Sequence, residues 1–102
     1  MSEYRHRNDS AVLAALANDR RRAVLRDLRR TNGPTSVTEM AERLSETGPY
    51  SDISRTRIAI ELYHVHLPKL DVADLIEYDA DRQRIEEGPE LESGLAVLNQ
   101  LE

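Results

Sequence analysis

The spacing of Leu67, Leu70, Ala73, Leu75 and Ile76 constrains the fold of this chain more than any other feature. Steps of three lay two helical turns along one buried stripe, and the adjacent Leu75 and Ile76 then break that period. A chain that buries such a stripe and leaves in register must pass from helix to strand almost without a loop. Leu75 to Tyr78 and Gln83 to Glu86 accordingly read as two short strands around Asp79-Ala80-Asp81-Arg82, a β-hairpin.

Upstream, Asp9 or Ser10 caps a helix carrying Val12, Leu13 and Leu16. Asn18-Asp19 reads as a second cap, followed by a stripe of Ala23, Val24, Leu25 and Leu28, so one kinked helix or two fit equally. Asn32-Gly33-Pro34 ends it. Thr35 to Val37 suggests a short strand. Ser36-x-x-Glu39 matches a capping box, with Thr38 the other candidate cap, for a helix that turns Val37, Met40, Ala41 and Leu44 inward. Thr47-Gly48-Pro49 stops that helix, 48–53 form a loop, and a long helical segment runs from about Ser54 to Ala73. After Gly88-Pro89, Leu91, Leu95, Leu98 and Leu101 define an amphipathic helix, which Gly94 weakens by roughly 1 kcal/mol relative to Ala. The expected fold class is mainly α with a small β-hairpin: a winged helix-turn-helix with extra terminal helices. Residues 1–8 form a flexible tail, 9–88 the domain and 89–102 a C-terminal helix.

Thirteen of the fourteen basic residues are Arg, against nineteen carboxylates. Such a Lys-poor, acidic composition suits a salt-accumulating host, and Arg bias in a GC-rich genome is the other reading. Charge is uneven: residues 1–30 hold eight Arg and four acids (+4), and 31–102 hold six bases and fifteen acids (−9). Any DNA-binding surface is therefore one face only. The chain has no Cys, no apolar run of membrane length and no signal-peptide pattern, so it is expected to be soluble and cytoplasmic.

The five-residue spacing resembles the junction of recognition helix and wing in arsenic-repressor and multidrug-repressor winged-helix regulators. Those proteins usually place Gly before the strand; here Asp74 stands there, a residue that tolerates left-handed backbone. LANDRRRAVLRDLRR, LYHVHLPKL and LIEYD together resemble a family of small haloarchaeal winged-helix proteins over roughly residues 9–86. His64 to Leu70 is the most specific part. The resemblance implies transcription regulation, without a known ligand or operator, and places positions 62 and 65 where related repressors touch DNA.

At 100° per residue, Arg57, Glu61, His64 and Pro68 fall on one side of the long helix, and apolar residues cover roughly 200° of the rest. So wide an arc calls for burial on two sides, by the core and by the terminal helices or a second copy. Leu62 and Val65, if outward, offer only apolar contact such as with a thymine methyl. Pro68 removes one helical bond and should kink the helix or stop and restart it at Leu67-Pro68.

The candidate DNA-contacting residues are Arg55, Arg57, His64 and Lys69 on this helix and Arg82 and Arg84 on the wing, the last two projecting from one side of the second strand. Arg20, Arg21, Arg22, Arg26, Arg29 and Arg30 read either as further phosphate contacts or as a charged helix face paired with Asp19 and Asp27. Leu13, Leu16, Leu91, Leu95, Leu98 and Leu101 are the candidate homodimer interface. His66 reads as a packed histidine. His64 and His66, two apart, do not make a helical metal pair, and no nucleophile with a base or phosphate loop is present. No catalysis, metal, cofactor, membrane or small-molecule effector is implied. The expected partners are double-stranded DNA and a second copy; the rival expectation is a winged-helix protein-interaction module with little sequence-specific DNA binding.

Overall fold

The computed structural model describes residues 10–46 and 48–101, without the side chain of Leu101. The expected tail at 1–8, the Asp9 cap and the part of Leu101 in an interface lie outside the described residues. Helix α1 spans 10–16 and ends at Ala17. Helix α2 (Asp19–Thr31) starts on the Asn18 side chain, which accepts from the backbone N–H groups of Arg20 and Arg21. The 10–31 region is thus two helices, not one kinked one. Asn32, in left-handed conformation, closes α2.

Strand β1 (Thr35–Ser36) leads straight into α3 (Val37–Leu44), where the Ser36–Glu39 capping box is complete. A 3-10 turn (Gly48–Tyr50) precedes the long helix, capped by the Ser54 side chain. That helix is made of α4 (Arg55–Glu61), a π-helical turn (Leu62–His66) and α5 (Leu67–Val72). Asp74, with φ 61°, takes the left-handed position. Strands β2 (Ile76–Asp79) and β3 (Arg84–Glu87) form the wing, one residue later at each start than the sequence pattern suggests. The sheet is antiparallel in the order β1-β3-β2, with Ile85 opposite Thr35 on one side and Tyr78 on the other. Helix α6 (Leu91–Leu101) follows. This is a winged helix-turn-helix with additional terminal helices.

One buried cluster joins all the layers: Leu16 from α1, Leu25 and Leu28 from α2, Met40 and Leu44 from α3, Ile58, Leu62, Leu67 and Leu70 from the long helix, Ile76 and Ile85 from the wing, and Leu91 from α6. The expected stripe Leu67-Leu70-Ala73-Leu75-Ile76 is wholly buried. Two glycines are where they are because chain segments meet there. A Cβ on Gly88 would lie 2.5 Å from the Asp74 carbonyl oxygen, and one on Gly94 would run into the Leu75 side chain. Gly94 therefore trades helix propensity for a close approach of α6 to the helix-strand junction. Among the described residues no helix is long and apolar enough to cross a membrane.

The helix does not stop and restart at Leu67-Pro68. The backbone stays helical through His66 (φ −83°, ψ −45°) and Leu67 (φ −64°, ψ −43°). Just before the proline, the Leu67 N–H donates to the Leu62 carbonyl, five residues back instead of four. A proline ring collides with the carbonyl four residues before it, and a wider turn relieves that crowding without ending the helix.

Candidate nucleic-acid interface

Ser54 starts α4 and the π turn then sets which side chains of the long helix face outward. Arg55, Thr56, Arg57, Ile60, Tyr63, His64, Val65, Pro68 and Lys69 are exposed, whereas Leu62 is fully buried. Of the two positions that the resemblance sets against DNA, 65 is thus exposed and 62 is not. Leu62 follows Ile58 by an ordinary α-helical turn on the same buried side, whereas the wider turn that starts at residue 62 carries Val65 off that stripe to the surface. Ile60 (53% exposed), Val65 (48%) and Tyr63 (38%) leave the second apolar side partly uncovered by the described residues.

Glu61 shares a recess with Arg57 but is held by other partners. Its Oε2 accepts from Arg20 Nη1 at 2.7 Å, and its Oε1 lies 3.1 Å from His66 Nε2. In an α-helix residues five apart sit about 140° apart around the axis, too far to touch; the π turn brings Glu61 and His66 together. His66 is buried, as its wheel position suggests, and its Nδ1 lies 3.4 Å from Arg21 Nη1. Burial holds the His66 imidazole below its ordinary value, with Arg21 and Arg20 acting the same way and Glu61 opposing. Arg20 also lies over the buried Tyr50 ring, 5.1 Å from its centroid.

The arginine row of α2 is largely occupied inside the protein. Arg21 donates from Nε to the Ala15 carbonyl (2.7 Å) and from Nη2 to that of Ala14 (3.2 Å), and Arg22 donates to Leu16 (2.8 Å). These cations bond to carbonyls at the C-terminal end of α1, of which that of Ala14 also accepts from the Ala17 N–H, where the helix dipole favours positive charge. Asp27 is buried and takes both Arg43, at 2.9–3.2 Å, and Arg30, at 3.4 Å. Arg29 faces Glu87 at 3.7 Å. Pairing with Asp27 matches the charged-face reading. Arg20 to Arg22 instead engage α1 and the long helix rather than Asp19.

Of the candidate contact residues, Arg55 pairs with Glu42 at 2.9 Å on the surface. Arg57 opens onto a recess shared with Arg20, Asp52, Ile53, Ser54 and Glu61. His64 meets Tyr63 edge to face, with centroids 4.8 Å apart, and Tyr63 meets Tyr78 of the wing at 6.3 Å. Lys69 is exposed on α5. Arg82 lies in the turn between β2 and β3, not on a strand, so it does not project with Arg84 from β3. Both line a groove with Asp71, Glu77, Tyr78, Asp79 and Glu86. The outer face of the wing sets Glu77 opposite Glu86 and Asp79 opposite Arg84, a more acidic face than two arginines in the sequence suggest.

The leucines expected at a dimer interface separate into two groups. Leu16, Leu91 and Leu98 are buried within the protomer, because α1 and α6 complete its own core. Leu13 is 52% exposed and Leu95 half-buried. The exposed Thr56, Ile60 and Tyr63 were absent from the sequence-derived candidates, since they carry no charge to mark them.

No curated protein and no solved structure matched the chain in the corresponding searches. A family profile described as a domain of unknown function, DUF7344, matches residues 13–86, from the middle of α1 to the third residue of β3. The chain belongs to the DUF7344 family.

Proposed function

We propose that this domain is a DNA-binding transcription regulator of winged-helix type, acting as a homodimer, and that α4 with the π turn enters the major groove. The observation that carries the reading is the pairing of the Glu61 carboxylate within the protein. The one acid among residues 55–66 is turned onto Arg20 and His66, leaving Arg55, Thr56, Arg57, Ile60, Tyr63 and His64 on the exposed surface. Such a face offers cations for phosphate and apolar and ring surface for base edges. Lys69, Arg82 and Arg84 contribute from the periphery, with the side chain of Arg82 at the hairpin tip 79% exposed. Leu13 and Leu95 are the candidate leucines left for a second copy, with recognition helices about one DNA turn apart.

The test is a titration of pooled genomic duplex at several salt concentrations. Affinity is expected to fall linearly on a log–log scale, and Arg57→Ala to reduce the slope by about 1. Absence of binding even at low salt overturns the reading. The exposure of Ile60 and Val65 favours a second reading, a protein-interaction module that uses the same helix.

A further inference from the structure

The long helix is tied to the rest of the protein at one unusual place. His66 stands between Arg21 of α2, which also holds the last carbonyls of α1, and Glu61, which Arg20 holds from its other oxygen. Arginine only donates hydrogen bonds, so His66 Nδ1 must be the bare nitrogen. A carboxylate only accepts, so Nε2 must carry the hydrogen. A single neutral tautomer thus satisfies both neighbours, and no other protonation state does.

We infer that His66 is a proton-operated tie: neutral, it fastens the π turn of the long helix to α1 and α2, and protonated, it releases them. Adding a proton to Nδ1 aims an N–H at the Arg21 guanidinium, turning the contact at 3.4 Å from attraction to repulsion. Arg21 cannot withdraw freely, because its Nε and Nη2 hold Ala15 and Ala14. The strain falls on the last turn of α1 or expels His66, and losing His66 parts the Glu61 contact that spans the π turn. The charged and titratable groups around the ring are Glu61 from its own helix, Arg20 and Arg21 from α2, Asp19 across the adjoining cleft, and the Tyr50 phenol below Arg20.

The direction follows from burial, which favours the neutral ring in the folded protein. The unfolded chain then binds the proton more readily, so this stabilisation is complete above the ordinary histidine value near ~6.5 and declines as pH falls through the lower folded value. That the released helix is the DNA-facing one rests on the function proposed above; the tie itself does not.

The experiment is a histidine ring ¹⁵N titration of the full chain, read together with amide exchange. The expected result is an Nε2–H tautomer at neutral pH, and a rise of about tenfold in rate-corrected exchange at 62–67 as His66 titrates. His66→Gln, which keeps a donor and an acceptor but does not titrate, should abolish the rise. An Nδ1–H tautomer, or protonation without a change in exchange, overturns the inference, and the wild-type measurement alone decides if the variant does not fold. Binding of pooled genomic duplex at neutral pH and at a pH below the His66 midpoint read by the ring titration separates the two proposals. Exchange that responds while no DNA binds at either pH overturns the DNA reading and leaves the tie standing. DNA binding that weakens in acid without any exchange response overturns the tie.

Discussion

The arginines of α2 and those of the long helix have the same chemistry and opposite fates. Arg20, Arg21 and Arg22 are adjacent in sequence, yet each reaches inward: to Glu61, to α1 carbonyls and His66, and to Leu16. Arg55 and Arg57 are fewer and remain on the surface, Arg55 in an exposed pair. Charge density along a chain therefore says little about which cations are available to a partner. Availability depends on whether a carbonyl or carboxylate lies within reach after folding.

Breaking the inward set should unfold, and breaking the outward set should only weaken binding. The largest effect is expected for Asp27→Ala. It strips Arg43 of a two-pronged partner inside the fold and should cost about 3 kcal/mol in urea denaturation. Arg21→Ala comes next, at about 2 kcal/mol, since it takes the side-chain donor from the Ala15 carbonyl and His66 and one of two donors from the Ala14 carbonyl. Arg57→Ala should leave the urea midpoint unchanged and weaken duplex binding about tenfold, measured by anisotropy. Replacing Arg82 and Arg84 together by Ala should weaken it only about threefold, the scale of exposed charge contacts, because Asp79, Glu77 and Glu86 already oppose phosphate there. If Arg21→Ala leaves stability intact, or if the wing pair outweighs Arg57, the contrast between the two arginine sets collapses.

Much of the fold was legible because it rests on local rules. The Leu67-to-Ile76 spacing, the Ser36–Glu39 box, and Asp74 at a left-handed position all depend on neighbours in sequence, and all appear in the structure. The candidate site was less legible. Val65 leaves the Ile58–Leu62 stripe because the helix changes pitch, and nothing in a fixed helical wheel registers that. Pro68 marks the cause without showing the remedy. Glu61 and His66 are five apart, a spacing that signals contact only once the π turn is known. Leu91 and Leu98 form the amphipathic stripe that was expected, but amphipathicity names an apolar face without naming what covers it. Here the protomer itself covers both.

The bonds made by Arg21 also bear on the order of folding. Its links to Ala14 and Ala15 close loops of only seven and six residues, whereas its contact with His66 spans forty-five. Short loops cost less chain entropy and close sooner. The corner between α1 and α2 should therefore assemble early as a socket, with the long helix docking late. Substitutions in the corner are then expected to slow refolding, and substitutions at the π turn chiefly to speed unfolding.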